Sequence, residues 1–176
     1  MTEEQFWSLI RASHDVAKGQ VQRQESSLRK ALVRLSAEQI VEFDHWFQHF
    51  VCRAYRWDLW GAAYVICDGC SDDGFLDFRH WLVAQGQSIY VEALNNPESL
   101  ASAIDSPAKK VQFSGLSFFN PAMFAWAESL GKEESELDDF PNTTDEPGDL
   151  NPTGEPFDED QESLLKRYPK LWSMFH

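Results

Sequence analysis

Apolar residues recur at spacings of three and four positions through most of the chain, and this spacing constrains its fold more than any other feature. The clearest example follows Ser36 and Gln39 and comprises Ile40, Phe43, Phe47, Phe50 and Ala54. A period near 3.6 residues places such side chains on one face of an α-helix, which is then buried. No run alternates every second residue for long enough to indicate a sheet, and only residues 111–119 are ambiguous. The predicted fold is an all-α, compact multi-helix bundle.

Polar residues that cap helix starts, and glycines that end helices, predict the helix boundaries. Thr2 with Gln5 and Ser36 with Gln39 are capping-box pairs, in which each side chain accepts from a backbone N–H of the other residue. Gly69 is expected to end a helix over 57–68 in the left-handed conformation. The polar stretch 20–27 lacks periodicity and is expected to be a break. Further helices are predicted over 71–86, 88–94, 97–105 and 121–130, with two short ones after residue 160.

The net charge of −14 is concentrated in one part of the sequence. Thirteen acidic residues and a single lysine lie between residues 131 and 162, together with four of the eight prolines. Proline and repulsion between like charges both oppose regular structure, so residues 131–160 are predicted to form an extended, flexible acidic loop. It would connect a helical body at 1–130 to short C-terminal helices at 161–176 that pack back on the body, within a single domain. Removal of residues 133–159 is expected to leave the body folded.

The charge and the sequence motifs exclude several classes of function. Nucleic acid and anionic membranes would repel so acidic a chain. The first residues do not resemble a signal peptide, and the longest nearly apolar run, 59–67, is far shorter than the roughly 20 residues that a membrane helix needs. Three cysteines fit free thiols in a reducing compartment, which predicts a cytoplasmic location. No glycine-rich nucleotide loop occurs, and no cofactor is expected.

Aspartates, arginines and tryptophans concentrate between residues 56 and 81. Arginine–aspartate pairs can hold two helices in register, and tryptophan rings can cover such pairs. This central segment is therefore predicted to form an ion-paired corner that fastens helices together. Its members are Arg56, Trp57, Asp58, Trp60, Ser71, Asp72, Asp73, Arg79 and Trp81.

Two metal sites are alternatives to a structural corner. Asp72, Asp73 and Asp77 are close enough on one helix to hold Mg²⁺ for hydrolysis of a phosphate ester, although capping also explains Ser71 and Asp72. A structural zinc would need four ligands, for which the weak candidates are Cys67, Cys70, His45, His49 and Cys52. Neither alternative is preferred, and no metal is expected.

The central motifs resemble those of a known family. They read RWDLWGAAY at 56–64, DGCSDDGF at 68–75 and FRHWL at 78–82, followed by Gln85 and Gly86. This pattern resembles a bacterial family of domains of unknown function, DUF4240. Phe6, Trp7 and Ile10 are similar to its start, and residues 154–157 and 168–171 are similar to its later motifs. The resemblance implies a soluble, bacterial, mainly helical protein and transfers no catalytic residue.

The sequence favours a non-enzymatic protein that binds another protein, such as an inhibitor or an immunity protein. Its acidic segment would attract a basic partner, and aromatic residues would supply contact area. The alternative is a magnesium-dependent phosphate-ester hydrolase with the aspartate cluster as its site, so enzymatic activity is left open. A zinc-stabilised module is a third possibility.

Overall fold

The structure, a computed structural model, describes residues 1–104, 121–141, 143 and 151–176. In these residues an isolated parallel bridge between Arg56 and Thr153 is the β-type pairing, and the rest of the regular structure is helical, which confirms the all-α class. The ambiguous stretch 111–119 lies outside the described residues. The α-helices are α1 (Glu3–Ala17), α2 (Val21–Leu32), α3 (Ala37–Arg53), α4 (Trp57–Cys67), α5 (Asp72–Ala84), α6 (Gln87–Asn95), α7 (Leu100–Ala103), α8 (Pro121–Ser129), α9 (Gln161–Arg167) and α10 (Pro169–Phe175), with 3₁₀ turns at Pro97–Ser99 and Glu134–Asp139.

The predicted helix caps are present. The Thr2 hydroxyl accepts from the backbone N–H of Gln5 at 3.3 Å, and the Gln5 side chain accepts from the Thr2 N–H at 2.9 Å. Ser36 and Gln39 make the same reciprocal pair at the start of α3. These bonds satisfy N–H groups that have no partner inside the helix, so they fix where α1 and α3 begin.

Helix α2 contradicts the prediction of a break at residues 20–27. Its buried positions are Gln24, Leu28 and Leu32, one on every fourth residue. The Gln24 side chain donates to the backbone carbonyl of Ala84 at 2.7 Å, which satisfies the buried amide nitrogen. Because a glutamine occupies one of three buried positions, the helix has too few apolar residues to be recognised by periodicity.

The end of α4 also differs from the prediction. The helix ends at Cys67, and Asp68, not Gly69, is the left-handed capping residue, with φ of 58°. Gly69 follows with φ of 114° and donates its N–H to the Tyr64 carbonyl at 2.9 Å. Aspartate adopts positive φ more readily than most residues. Two successive residues with positive φ therefore turn the chain from α4 towards α5.

The core is built around aromatic rings from α1, α3 and α6. The ring of Phe6 lies 5.0 Å from that of Phe43 and 5.4 Å from that of Phe50, measured between centroids. The Trp7 ring lies 4.5 Å from Phe50, and the Tyr90 hydroxyl donates to the Phe50 carbonyl at 2.8 Å. Around this cluster, α2 packs on α1 and α8, and α10 packs on α4.

The acidic segment, residues 131–160, is only partly extended. Residues Glu134–Asp139 form a 3₁₀ helix, so the prediction of extended chain is wrong for them. Residues 142 and 144–150 lie outside the described part, and the flexibility of the segment stays a prediction. No described helix combines the length and the apolarity that a bilayer crossing requires.

Candidate functional site

The predicted corner contains an arginine–aspartate pair that lies within one helix start. Arg56 donates to both carboxylate oxygens of Asp58, with Nε 2.9 Å from Oδ1, and both side chains are roughly one-third exposed. Arg56 precedes α4 and Asp58 lies in the first turn of α4. The prediction that such a pair joins two helices is therefore wrong for these two residues. The pair orders the start of α4, where partial exposure limits its contribution to stability.

Arg79 connects two helices through contacts that the sequence did not indicate. Its guanidinium carbon lies 4.5 Å from the ring centroid of Tyr55 and 5.3 Å from that of Phe75. One guanidinium nitrogen donates to the Val51 carbonyl at 3.2 Å. A cation above aromatic faces is attracted by their negative π clouds. Arg79 therefore fastens α5 to the C-terminal end of α3.

Two of the tryptophans cover the turn between α4 and α5. The rings of Trp57 and Trp60 are stacked at 5.2 Å with an angle of 8°, and Trp60 stacks on Phe75 at 4.9 Å. The indole nitrogen of Trp60 donates to the Cys70 carbonyl at 2.9 Å. Trp81, by contrast, lies near the other end of α5, where its ring packs against that of Phe78 in the same helix at 5.7 Å. The contacts of Trp57 and Trp60 hold α4, α5 and their connecting turn in one arrangement.

The three aspartates of the magnesium alternative follow the start of α5. The Ser71 hydroxyl accepts from the Gly74 N–H at 3.2 Å, so Ser71 caps this helix, while Asp72 and Asp73 are exposed in its first turn. Partial burial, and then the charge of Asp73, raise the pKa of Asp77. In the described residues, no group of three or more His, Cys, Asp and Glu side chains is placed to hold a metal ion. The magnesium alternative stays a prediction without an assembled set of ligands.

The cysteines and histidines of the zinc alternative lie among packed side chains. Burial raises the pKa of the Cys67 thiol to about 11 and that of Cys70 to about 12, where the charges of Cys67 and nearby aspartates add to the effect. The ring of His49 packs edge-on against Trp46 and Phe50, and His45 and Cys52 lie on the same helix. Like the magnesium alternative, the zinc alternative stays a prediction, because the described residues contain no group of three or more His, Cys, Asp and Glu side chains placed to hold a metal ion.

A groove of about 770 Å³ lies between α1 and the start of α6. Its lining mixes the acidic residues Glu3, Glu4 and Asp15 with the basic residues Arg11 and His14. The lining therefore carries charges of both signs, with three carboxylates against one arginine and one histidine.

Apolar residues of the acidic segment pack on the helical body. The ring of Phe140 meets that of Trp126 edge-on at 5.5 Å, and Leu137 packs against the core beside it. Further along, the Phe157 ring lies 6.1 Å from Trp57 and 5.5 Å from Tyr64. The segment is thus attached at two separate places, next to α8 and next to α4.

Polar contacts add further attachments. The Thr143 hydroxyl donates to the buried carboxylate of Asp44 in α3. Burial raises the pKa of Asp44, and the hydrogen bond from Thr143 opposes that rise. Thr153 forms the parallel bridge: its N–H donates to the Tyr55 carbonyl, and its carbonyl accepts from the Trp57 N–H, both at 3.0 Å. The sequence indicated none of these partners.

The acidic side chains of the same segment face the solvent. Lys132 pairs with Asp139 at 2.6 Å and with Glu136 at 3.4 Å, and Arg167 of α9 donates to the backbone carbonyls of Glu155 and Pro156. We call these exposed carboxylates the acidic surface. Its described members are Glu133, Glu136, Asp138, Asp139, Glu155, Asp158, Glu159 and Asp160.

The comparison with known families matches the N-terminal part of the chain. The model of a family described as "Protein of unknown function (DUF4240)" matches residues 1–124, which include the central motifs and α1 to α7. The acidic surface and the later motifs at 154–157 and 168–171 lie beyond the matched range. No curated protein and no solved structure matches the chain at a significant level. With more than two-thirds of its residues matched, the chain belongs to the DUF4240 family of proteins of unknown function.

Proposed function

We propose that the protein is a non-enzymatic interaction module whose acidic surface binds a basic protein, in the manner of an inhibitor or an immunity protein. One observation carries the proposal. In the described parts of the acidic segment, Leu137, Phe140 and Phe157 pack on the body while the carboxylates face the solvent. The packed side chains and the hydrogen bonds attach the segment to the body. The exposed carboxylates of the segment therefore lie on a surface that the body supports.

Electrostatics explains why such a surface suits a basic partner. Complementary charge steers the encounter of two proteins and speeds their association, and it repels partners of the wrong sign. Binding to an anchored segment also costs less conformational entropy than binding to a free one. We place the protein in the cytoplasm, since its three cysteines have free thiols, as is usual in a reducing compartment.

The test neutralises carboxylates that anchor nothing. Asp138→Asn, Glu155→Gln and Asp158→Asn change exposed residues and keep side-chain shape. Immobilised wild-type protein is expected to retain a basic protein from a lysate of its source cells at low salt, and the triple variant at least roughly tenfold less of it. Retention is measured by quantitative mass spectrometry, with salt elution as a second readout.

The matched control is Glu4→Gln with Asp15→Asn and Glu92→Gln, which removes the same charge from exposed positions on α1 and α6. This control is expected to retain the partner as the wild type does. Equal loss in both triple variants would indicate a dependence on net charge alone. Either that result or full retention by the acidic-surface variant overturns the proposal.

A further inference from the structure

A cavity of about 190 Å³ adjoins the acidic surface. It lies between the C-terminal end of α4 and the pair α9 and α10. Tyr64 and Trp172 supply aromatic rings, Leu164 supplies apolar surface, and Asp68 and Glu159 supply carboxylates. The described residues that line it include neither lysine nor arginine. The cavity therefore combines aromatic walls with acidic charge.

Local structure fixes the acidic groups at this cavity. The Tyr64 hydroxyl donates to a carboxylate oxygen of Glu159 at 3.0 Å, which ties the acidic segment to α4. The backbone of Asp68 caps α4 in the left-handed conformation, and the residue lines the cavity. The C-terminal end of a helix carries partial negative charge, which adds to that of the two carboxylates. Three sources of negative potential thus converge on one cavity.

His176 lines one side of the cavity. The His176 ring stacks on that of Trp172 at 4.1 Å with an angle of 14°. Its Nε2 atom lies 3.0 Å from the Val65 carbonyl oxygen, so the ring is fixed between α10 and α4. This arrangement holds Trp172 in place as a wall of the cavity.

We propose that this cavity receives one arginine side chain of the basic partner. The inference rests on the proposed function and names the group that the surface would recognise. A guanidinium is planar, stacks on aromatic rings and pairs with a carboxylate through two hydrogen bonds. The cavity offers aromatic rings and two carboxylates in a volume that suits one long side chain. A neutral side chain of the same shape would gain neither the ion pair nor the cation–π attraction.

The test uses a small probe and the full chain. N-acetyl-arginine amide is titrated into ¹⁵N-labelled protein at pH 8, where histidine side chains are ordinarily neutral, and the indole N–H signal of Trp172 is followed by NMR. That signal is assigned with Trp172→Phe. We expect a saturable shift with the arginine probe and little shift with N-acetyl-citrulline amide, its neutral isostere. An equal shift with citrulline, or no shift with arginine, overturns the inference.

Two double variants distinguish arginine binding at the cavity from a general effect of negative charge. Asp68→Asn with Glu159→Gln should weaken arginine binding roughly tenfold, since both charges are lost. Asparagine tolerates the left-handed position, and glutamine can still accept from Tyr64. Glu155→Gln with Asp158→Asn removes the same charge from the same segment outside the cavity and should leave binding unchanged. Equal effects of the two double variants overturn the inference.

This titration needs no protein partner. A negative result for the cavity can therefore be distinguished from a negative result for the proposed function. If arginine does not bind while partner retention still depends on the acidic surface, the proposed function stands and the cavity has no role in it. If arginine binds at the cavity but neutralisation of the acidic surface leaves retention intact, the proposed function is wrong.

Discussion

At the scale of single residues, burial in the core changes the titration of His80. His80 is 4% exposed and its ring stacks on that of Phe47 at 5.6 Å. Burial, and then the positive charge of Arg79, lower the pKa of His80 from 6.5 to about 4. The folded protein therefore holds this histidine neutral under conditions in which an unfolded chain would protonate it.

The lowered pKa of His80 predicts that the protein becomes less stable in acid. Between about pH 6.5 and about pH 4 the unfolded chain binds a proton that the folded protein does not, so stability falls as pH drops through this range. From about pH 7 to about pH 4.5, the wild-type free energy of unfolding should fall by about 2 to 3 kcal/mol more than that of His80→Phe. Urea unfolding at both pH values measures the difference. Parallel changes in the two proteins would contradict the prediction.

Individual residue roles could be predicted only where the partner is close in sequence. Ser71 caps α5 as expected, because its partner lies three residues away. Arg79 finds the ring of Tyr55 and the carbonyl of Val51, more than 20 residues distant. Such partners depend on how the helices pack. That packing is not apparent from the local sequence.

At the scale of helices, a glycine lets α4 pack against the junction between α9 and α10. A Cβ atom built at Gly61 would lie 2.3 Å from the Tyr168 hydroxyl oxygen and 2.9 Å from two ring carbons. That hydroxyl donates to the Asp58 carbonyl at 2.8 Å, and Tyr168 is 2% exposed. Any larger residue at 61 would displace this ring, which connects α4 to the junction between α9 and α10.

Gly61→Ala is accordingly expected to destabilise the protein by about 1 to 3 kcal/mol, through overpacking and loss of this hydrogen bond. The matched control is Gly74→Ala in α5, where a new Cβ would meet neighbours at 3.5 Å, an ordinary contact. Alanine has the better helix propensity, so this control should gain roughly 0.5 to 1 kcal/mol. Chemical denaturation compares the two variants. A Gly61→Ala protein as stable as the wild type would refute the expectation.

The sequence predicted helices well where their caps and apolar stripes agree. Thr2 and Ser36 fixed the starts of α1 and α3, and Ile40 and Phe43 indicated the buried face of α3. Helix α2 was not predicted, because Gln24 occupies a buried position where the apolar stripe of a helix would have an apolar residue. The short helix α10 takes part of its support from Glu98, whose carboxylate accepts from the N–H groups at the start of that helix. That support is invisible in the local sequence.

At the scale of the whole molecule, charge is divided between a nearly neutral body and a strongly acidic segment. The contacts of Thr143, Thr153 and Phe157 attach this segment to the body. Removal of residues 133–159 would take a hydrogen-bond donor from Asp44 and uncover aromatic surface. That the body stays folded without these residues stays a prediction. The acidic composition was evident from the sequence, but the anchors were not, because each is a single residue.

The many carboxylates of the acidic segment repel one another, which predicts that added salt stabilises the protein. Raising ionic strength from about 0.01 M to about 0.15 M shortens the screening length from about 30 Å to about 8 Å, which weakens repulsion within the acidic segment. The thermal midpoint of the wild type should therefore rise. Asp138→Asn with Glu155→Gln and Asp158→Asn should raise it at low salt and reduce its response to salt.

Differential scanning calorimetry provides this measurement. The Glu4→Gln, Asp15→Asn and Glu92→Gln variant serves as the control, since its changes lie in the nearly neutral body, and its salt response should match that of the wild type. A midpoint that falls with added salt would mean that favourable ion pairs outweigh the repulsion.

The fit of Tyr168 against Gly61 also bears on how the chain can be shortened. The family match ends at residue 124, whereas the tyrosine that fills the space above Gly61 lies 44 positions further on. A fragment trimmed to the matched residues would leave an empty apolar notch in the flank of α4. Such a fragment is a candidate for self-association during expression, so the boundaries chosen for laboratory work should extend through the final helix.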